Sequence, residues 1–268
     1  MLKLIAILAA ASLLTACDIA PKAGPKPHYQ STFPKTPAGC CLLDRLPHRP
    51  KHLAEGRANE GEIANADPNS GILTLEAPGT IEDDPVTKEP KTASVGLFRT
   101  GLNYGPGAKF SLRATFRRPE GPLNSLAWSV GVTARDGGLG DRYDAKRVSA
   151  TLRIRKGGAM LNIGGGADPG DRDPAKDIGE LYGSIFNGDQ SQPFTLELQV
   201  DRTVGRGTVS LIKDGTVRHT LKFKLEDKLK DTRFTTVGAT LADCCVPGAK
   251  MSAELKDFQV WQPRPPSP

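Results

Sequence analysis

Three carboxylates stand close together in the long connection 164–193: Asp168, Asp171 and Asp173. Carboxylate oxygens are ligands that Ca²⁺ prefers, and long connections in compact domains are often functional. Aspartate is also common in turns, the spacing matches no defined calcium loop, and nearby basic side chains offset the charge. The segment therefore predicts either a calcium site at these three residues or an ordinary acidic turn.

A second set of side chains that could bind a ligand is basic and alternates with apolar residues. It comprises Arg113, Arg117, Arg153, Arg155, Lys222 and Lys224. If their segments lie in one sheet, they form one basic face, and the four arginines are candidate ligand-binding residues for polymers that carry carboxylates or phosphates. The alternative is that outward charges only keep a sheet soluble and prevent edge pairing.

No set of residues identifies a reaction. Glu197 and Asp201 stand four positions apart on a polar strand face, which predicts solvated carboxylates. Ser184 lacks the second glycine of a nucleophile elbow, and His219 shares the phase of apolar neighbours, which favours a histidine on or beside the core. The sequence therefore identifies no catalytic residue, and an enzyme with an unrecognised site stays an alternative.

The elements that must position these side chains are predicted to be short strands. The chain has 268 residues, of which 38% are apolar, with 29 glycines and 22 prolines, so one domain with many turns is favoured over long helices. Every second residue is apolar in the runs 109–117, 148–156 and 194–201, so one side of each strand should face a core. Further predicted strands are 72–76, 94–99, 126–134, 207–213, 216–224, 234–241 and 251–261. The pattern predicts an all-β antiparallel sandwich or barrel.

Two local features predict how strands connect and bend. Asp214 and Gly215 can supply the positive φ angles of a two-residue type I′ turn, so 207–224 is predicted to form a hairpin. In the last predicted strand the apolar phase changes partway along. A β-bulge near Lys256 and Asp257 would reconcile the two phases.

A family resemblance appears between residues 194 and 261, where the chain reads FTLELQVDRTVGRGTVSLIKDGTVRHTLKF, then VGATL and finally AELKDFQVW. This succession resembles the later strands of concanavalin A-like lectin/glucanase jelly rolls, including laminin G-like domains. The resemblance implies an antiparallel β-sandwich that binds or hydrolyses glycans, often with calcium. Retaining glucanases of this fold carry Glu, Asp and Glu at alternate positions of one strand, and no such triplet occurs here. Glycan binding is therefore favoured over hydrolysis of this type.

The first residues predict export and lipidation. Residues 1–16 contain Lys3, an apolar run and small residues, which are the parts of a signal peptide. The stretch LTAC, which ends at Cys17, resembles the lipobox of bacterial lipoproteins, whose cysteine is acylated before the signal is removed. The resemblance implies that fatty acyl chains such as palmitate on Cys17 anchor the chain to a membrane facing the periplasm or the exterior. Inner and outer membrane stay open.

Four further cysteines occur as two adjacent pairs, Cys40 with Cys41 and Cys244 with Cys245. An even number in an exported chain predicts two disulfides. Neighbouring cysteines rarely bridge each other because the ring is strained, so each cysteine of the first pair is expected to bond one of the second. An alternative combines the first pair with two nearby histidines as a zinc site, which requires reduced thiols in an oxidising compartment.

The predicted organisation has four parts. These are a signal peptide at 1–16, the lipidated cysteine and a Pro-rich tether at 17–39, a β-sandwich domain at 40–262 and a Pro-rich tail at 263–268. The tether is inferred from its prolines and from the lack of apolar periodicity.

Together these features predict a membrane-anchored carbohydrate-binding lipoprotein of the bacterial cell envelope, with an acidic glycan as its partner. The chain carries 36 basic and 30 acidic residues, and the net charge of +6 falls only to +5 when Lys3 leaves with residues 1–16. No nucleic-acid partner is expected in this compartment, and no cofactor apart from Ca²⁺. The alternatives are a glycan hydrolase or lyase, and a structural or assembly lipoprotein that binds another envelope protein.

Overall fold

The computed structural model describes residues 29–32, 52–57, 63–76, 92–99, 104–105, 107–120, 126–134, 146–155, 158–179, 181, 192–244 and 250–261. In chain order the strands are β1 (Tyr29–Thr32), β2 (His52–Arg57), β3 (Ile63–Ala66), β4 (Ile72–Glu76), β5 (Thr92–Arg99), β6 (Lys109–Glu120), β7 (Ala127–Thr133), β8 (Arg147–Arg155), β9 (Gly158–Gly164), β10 (Ala167–Arg172), β11 (Lys176–Asp177), β12 (Phe194–Asp201), β13 (Arg206–Lys213), β14 (Thr216–Leu225), β15 (Thr236–Cys244) and β16 (Lys250–Trp261). A four-residue helix, α1 (Asp227–Lys230), lies between β14 and β15. The described part of the chain contains no helix with the length and apolar character needed to cross a membrane.

The strands pair in two antiparallel sheets. The nine-stranded sheet has the order β10, β14, β13, β12, β6, β16, β4, β3, and β1 also pairs with β16. The seven-stranded sheet has the order β11, β9, β8, β7, β15, β5, β2. Strands that are far apart in sequence are neighbours in both sheets, as β6 is between β12 and β16. The predicted all-β antiparallel sandwich is confirmed.

The core lies between the two sheets, where the alternating apolar residues meet. Phe194 on β12 stacks on Phe116 of β6 with ring centroids 5.6 Å apart, and it meets the edge of Trp128 on β7 of the other sheet at 5.7 Å. Such aromatic pairs add about 1 kcal/mol each beyond the burial of their area. The inward phases predicted for β6, β8 and β12 are confirmed, because their apolar residues are all buried. The opposite side of β6 and β12 is left for polar side chains.

Both local predictions about strand connection are confirmed. Asp214 and Gly215 have φ angles of 52° and 72°, and the flanking Lys213 and Thr216 are paired, so β13 and β14 form the expected hairpin. The register of β16 against β6 shifts between Leu255 and Asp257, at the position of the expected bulge.

Several segments differ from the sequence prediction, and β2, β3 and β9 were not predicted as strands. Residues 164–193 were expected to be one connection but contain β10 and β11, which pair with β14 and β9. The predicted tether at 17–39 contains β1, which pairs with the end of β16 through Tyr29 and Val260. Short edge strands need only main-chain hydrogen bonds from one neighbour, so they leave little apolar signal. A register shift in β14 also exposes Val217, which was assigned to the core side.

The predicted lipidation and disulfides fall largely outside the described residues. Cys17, Cys40, Cys41 and Cys245 lie outside them, and the backbone of Cys244 ends β15. These features therefore stay predictions.

Candidate functional site

A groove of about 1290 Å³ lies on the outward face of the nine-stranded sheet. Its floor comes from β6, β12, β13 and β14, the last residue of β16 stands at one end, and residues of β10 and the residue after it stand at the other. The polar lining consists of Lys109, Ser111, Arg113, Asp171, Arg172, Asp173, Glu197, Gln199, Asp201, Arg206, Thr208, Lys222, Lys224 and Trp261. Because the inward residues of these strands fill the core, the alternate positions supply this polar surface.

A row of five directly paired residues crosses the groove from one end to the other. Trp261 is opposite Ser111, which is opposite Gln199, then Thr208 and finally Lys222. We call these five residues the central row. Four steps between neighbouring strands, each of about 4.8 Å, give the row a length of about 19 Å. The row therefore offers an aromatic ring, two hydroxyls, an amide and an ammonium group in one line.

An ion pair lies beside Trp261, at one end of the central row. Arg113 Nε donates to Glu197 Oε1 at 2.7 Å, Ser111 Oγ donates to the same oxygen at 3.3 Å, and the Arg113 guanidinium lies 4.9 Å from the centre of a Trp261 ring. The prediction of a solvated Glu197 is wrong, because the residue is only 4% exposed. Arg113 on β6 supplies the positive charge for a carboxylate that β12 would otherwise bury without a counter-charge. We call Arg113, Glu197 and Trp261 the tryptophan end.

A second balanced pair lies beside the central row. Lys109 Nζ is 2.7 Å from Asp201 Oδ2, and Thr203 donates to Asp201 Oδ1 through its main-chain nitrogen at 3.0 Å and through its hydroxyl. Partial burial acts to raise the pKa of Asp201, but the hydrogen bonds from Lys109 and Thr203 outweigh it and hold the pKa below its usual value. This carboxylate is therefore ionised and paired at neutral pH.

The other end of the groove is rich in basic side chains. Arg172, Arg206 and Lys222 are exposed and have no ion pair among the described residues, and we call these three residues the cation end. Arg206 faces Lys224 across β13 and β14, and Lys224 Nζ is 3.5 Å from Asp168 Oδ2. The described lining residues include six basic and four acidic side chains, which give a net charge of +2.

The candidate arginines do not form the single basic face that was expected if their strands lay in one sheet. Arg113 and Arg117 lie on β6 of the nine-stranded sheet, whereas Arg153 and Arg155 lie on β8 of the seven-stranded sheet. Arg117 forms an ion pair with Glu254 rather than lining the groove. Among the candidate arginines whose side chains the structure describes, Arg113 alone is part of the groove lining.

Two of the three aspartates predicted to bind calcium accept separate main-chain hydrogen bonds. Asp168 Oδ1 accepts the main-chain N–H of Gly170 at 3.0 Å, and Asp173 Oδ2 accepts that of Lys222 at 2.8 Å. Within the described ranges no three acidic, histidine or cysteine side chains are grouped as metal ligands would be. The calcium site at Asp168, Asp171 and Asp173 therefore stays a prediction, and Asp171 and Asp173 line the β10 side of the groove.

Several groove residues were missed by the sequence analysis. Gln199 and Thr208 occupy outward positions in predicted strands, so their exposure followed from the alternation. Their alignment with Trp261 depends on three pairings among four strands, and no local pattern contains that information.

No protein-family model matches the chain, and a comparison with curated proteins finds no match. Among solved structures, lectin I-B4 from Griffonia simplicifolia is similar with a TM-score of 0.47 and 14% identity over 87% of this chain and 99% of that one. Lectin II from Ulex europaeus has a TM-score of 0.47 and 9% identity over 88% and 100% of the two chains. A lectin from Bauhinia forficata, in complex with GalNAc, has a TM-score of 0.46 and 12% identity over 78% and 98%. The assignment of this chain to the β-sandwich class rests on its own strand pairing.

Proposed function

We propose that the protein is a lipid-anchored binding module of the bacterial cell envelope that holds an acidic glycan in the groove of its nine-stranded sheet. The observation that carries the proposal is the central row, which places a tryptophan and uncharged hydrogen-bonding groups in line along an accessible groove.

The chemistry of the central row matches that of a sugar chain. Hydroxyls act as donors and acceptors at once, and Ser111, Gln199 and Thr208 present groups that can do both in return. Trp261 is half-buried and lines the groove, where its indole ring can contact the C–H surface of a sugar ring beside the Arg113 guanidinium. A groove lined by a few convergent polar groups and an aromatic side chain is a typical site for an organic ligand.

Charge supports an acidic rather than a neutral glycan. The lining residues that the structure describes have a net charge of +2, and the chain without residues 1–16 has a net charge of +5. Arg172 and Arg206 can bind carboxylates, because each planar guanidinium can donate two parallel hydrogen bonds to one carboxylate. A positive groove also raises the rate at which an anionic polymer meets the protein.

The predicted lipid anchor would keep the groove near a membrane surface. Tyr29, which pairs with β16 next to Trp261, lies twelve positions after Cys17. A chain of that length spans at most about 43 Å. A glycan carried by the envelope itself is therefore within reach of the tethered groove.

The groove carboxylates give no support to the alternative of a glycan hydrolase. Glu197 and Asp201 lie four residues apart on β12, so their backbones are separated by about 13 Å. Paired glycosidase carboxylates stand about 5 Å or about 6.5–9.5 Å apart. Each of the two is also held in an ion pair within the groove.

Binding of defined glycans tests the proposal directly. The mature chain from residue 17 with Cys17→Ser would be titrated calorimetrically with alginate, polygalacturonate, hyaluronan and neutral xylan. Acidic glycans should bind, and Gln199→Ala should weaken binding by about fivefold, since it removes an exposed hydrogen-bonding group from the middle of the row. Asn65→Ala, an exposed change on β3, is the matched control and should leave affinity unchanged. Absence of binding to all four polymers, or equal effects of the two variants, would overturn the proposal.

A further inference from the structure

The two ends of the groove differ in chemistry, and the difference implies a direction for the bound chain. We infer that the tryptophan end holds a neutral sugar ring while the cation end holds a single carboxylate or sulfate group. The ligand is then an oligosaccharide segment with a neutral ring at the tryptophan end and an anionic ring at the cation end. The two ends are about 19 Å apart. This inference rests on the proposed function of the same groove.

The tryptophan end is unsuited to an anionic group. Arg113 is already bound to Glu197 at 2.7 Å and lies over the ring of Trp261. An anion there would compete with a carboxylate that is only 4% exposed and cannot move into solvent without leaving the strand face. A neutral ring can instead contact Trp261 and exchange hydrogen bonds with the existing pair.

The middle of the groove is electrically balanced. Gln199 and Thr208 are uncharged, and the neighbouring Lys109 and Asp201 neutralise each other. Neutral sugar rings can therefore lie across β12 and β13, with their hydroxyls hydrogen-bonded to the groove side chains. An additional carboxylate in this stretch would lose hydration without gaining a cation of its own.

The cation end has basic groups that are not committed elsewhere. Lys222 is opposite Thr208, Arg206 lies two residues from Thr208 on the same side of β13, and Arg172 reaches the groove from β10. Asp173 accepts the Lys222 main-chain N–H, and Asp171 also lines this end, so the local excess of positive charge is small. One bound carboxylate or sulfate, rather than a dense array of them, matches this excess.

The distance between the two ends makes ligand length decisive. A monosaccharide can occupy one end only, whereas an oligosaccharide that spans about 19 Å engages both. Linking the two contacts makes the second one intramolecular, so affinity should rise far more than the sum of additional hydrogen bonds suggests. Free glucuronate is therefore expected to bind at least a hundredfold more weakly than a tetrasaccharide.

Hyaluronan and galacturonan fragments test the charge pattern. The hyaluronan tetrasaccharide GlcNAc–GlcA–GlcNAc–GlcA has a neutral ring at one end, a carboxylate at the other and one further carboxylate between them. Tetragalacturonate has a carboxylate on every ring, so it places more unpaired charge on the tryptophan end and the middle of the groove. The mature chain should bind the hyaluronan tetrasaccharide more tightly, and chemical reduction of the carboxylates to hydroxymethyl groups should weaken that binding by about tenfold.

Paired variants locate the anionic group. The double variant Arg206→Gln/Lys222→Gln should reduce affinity for the hyaluronan tetrasaccharide about tenfold and affinity for its carboxyl-reduced form by less than twofold. The matched control Arg218→Gln/Lys256→Gln removes two exposed basic side chains outside the groove and should change neither value.

Each result separates the inference from the function on which it rests. Equal losses for the charged and the reduced sugars, or equal effects of the two double variants, would overturn the assignment of the cation end while leaving glycan binding intact. Tighter binding of tetragalacturonate would overturn the single-anion assignment. Failure of the unmodified groove to bind any of these sugars would overturn the proposed function itself.

Discussion

Replacement of Arg202 by methionine is expected to lower the free energy of unfolding by about 4 kcal/mol. Arg202 follows β12 and is 4% exposed. Its Nη1 donates to the carbonyl oxygens of Tyr104 at 2.9 Å and Gly105 at 2.6 Å, and its Nη2 donates to those of Lys230 at 2.6 Å and Thr232. One side chain thus joins the segment before β6 to the segment around the end of α1.

The magnitude follows from the four hydrogen bonds that Arg202 donates and methionine cannot, although the carbonyls of Tyr104 and Gly105 each keep a main-chain donor. Each unmade hydrogen bond in a buried setting costs about 1 kcal/mol, and methionine keeps much of the apolar contact with Phe234, whose ring centre lies 5.1 Å from the Arg202 guanidinium carbon. Arg202→Lys should cost about 2 kcal/mol, because a single ammonium group cannot reach carbonyls on both sides of the fork.

Urea unfolding followed by tryptophan fluorescence would measure the change, with any disulfides kept intact. Arg218→Met is the matched control, since Arg218 is exposed on β14 and its loss should cost less than about 0.5 kcal/mol. A loss below about 1 kcal/mol for Arg202→Met, with the same dependence on urea concentration as the wild type, would refute the account of Arg202 as a four-carbonyl anchor.

Three further predictions concern packing, pH and the anchor. Gly207→Ala should lower the melting temperature by about 5 °C, because a Cβ at this position would lie 2.3 Å from the ring of Phe223; an unchanged melting temperature would contradict this packing. In the folded state, hydrogen bonds lower the pKa of Asp201 despite partial burial. The pair of Asp201 with Lys109 therefore stabilises the fold fully above the ordinary aspartate pKa of about 4. This stabilisation is lost as the pH falls through the lower folded-state pKa. Asp201→Asn should therefore lose less stability than the wild type between about pH 5 and pH 2, and equal acid sensitivity in denaturant titrations would argue against the pair. Cys17→Ser should move the protein from the membrane fraction to the soluble fraction of cells, whereas membrane retention of the variant would argue against lipidation at this residue.

Much of the β-sandwich was predictable because strand signals are local. The side-chain period of two assigns Phe110, Leu112, Ala114 and Phe116 to one face, and all four are buried. The Asp214–Gly215 turn was predictable for the same reason, since the φ preferences belong to those two residues. The alternating β9 was missed although it buries every second residue, because the glycines at its ends are typical of a turn.

The candidate site was predictable only in part. The prediction that the alternate, polar residues of the strands face outward was correct, and Arg113 was identified as a binding candidate. The pairing of Arg113 with Glu197 was not, because 84 positions separate the two residues. The prediction of a solvated Glu197 failed for this reason: a carboxylate on a polar phase is buried or solvated according to which strand lies next to it.

The sequence by itself determined which residues can face a core, where one hairpin turns, where the last strand is bulged, and that no familiar catalytic triplet is present. Only the tertiary structure decided that β6 and β8 belong to different sheets, which separates Arg113 from Arg153, and that β16 brings Trp261 into line with Gln199. The physical reason is that side-chain alternation arises within one strand, whereas register and neighbours arise from how all strands together bury their apolar faces.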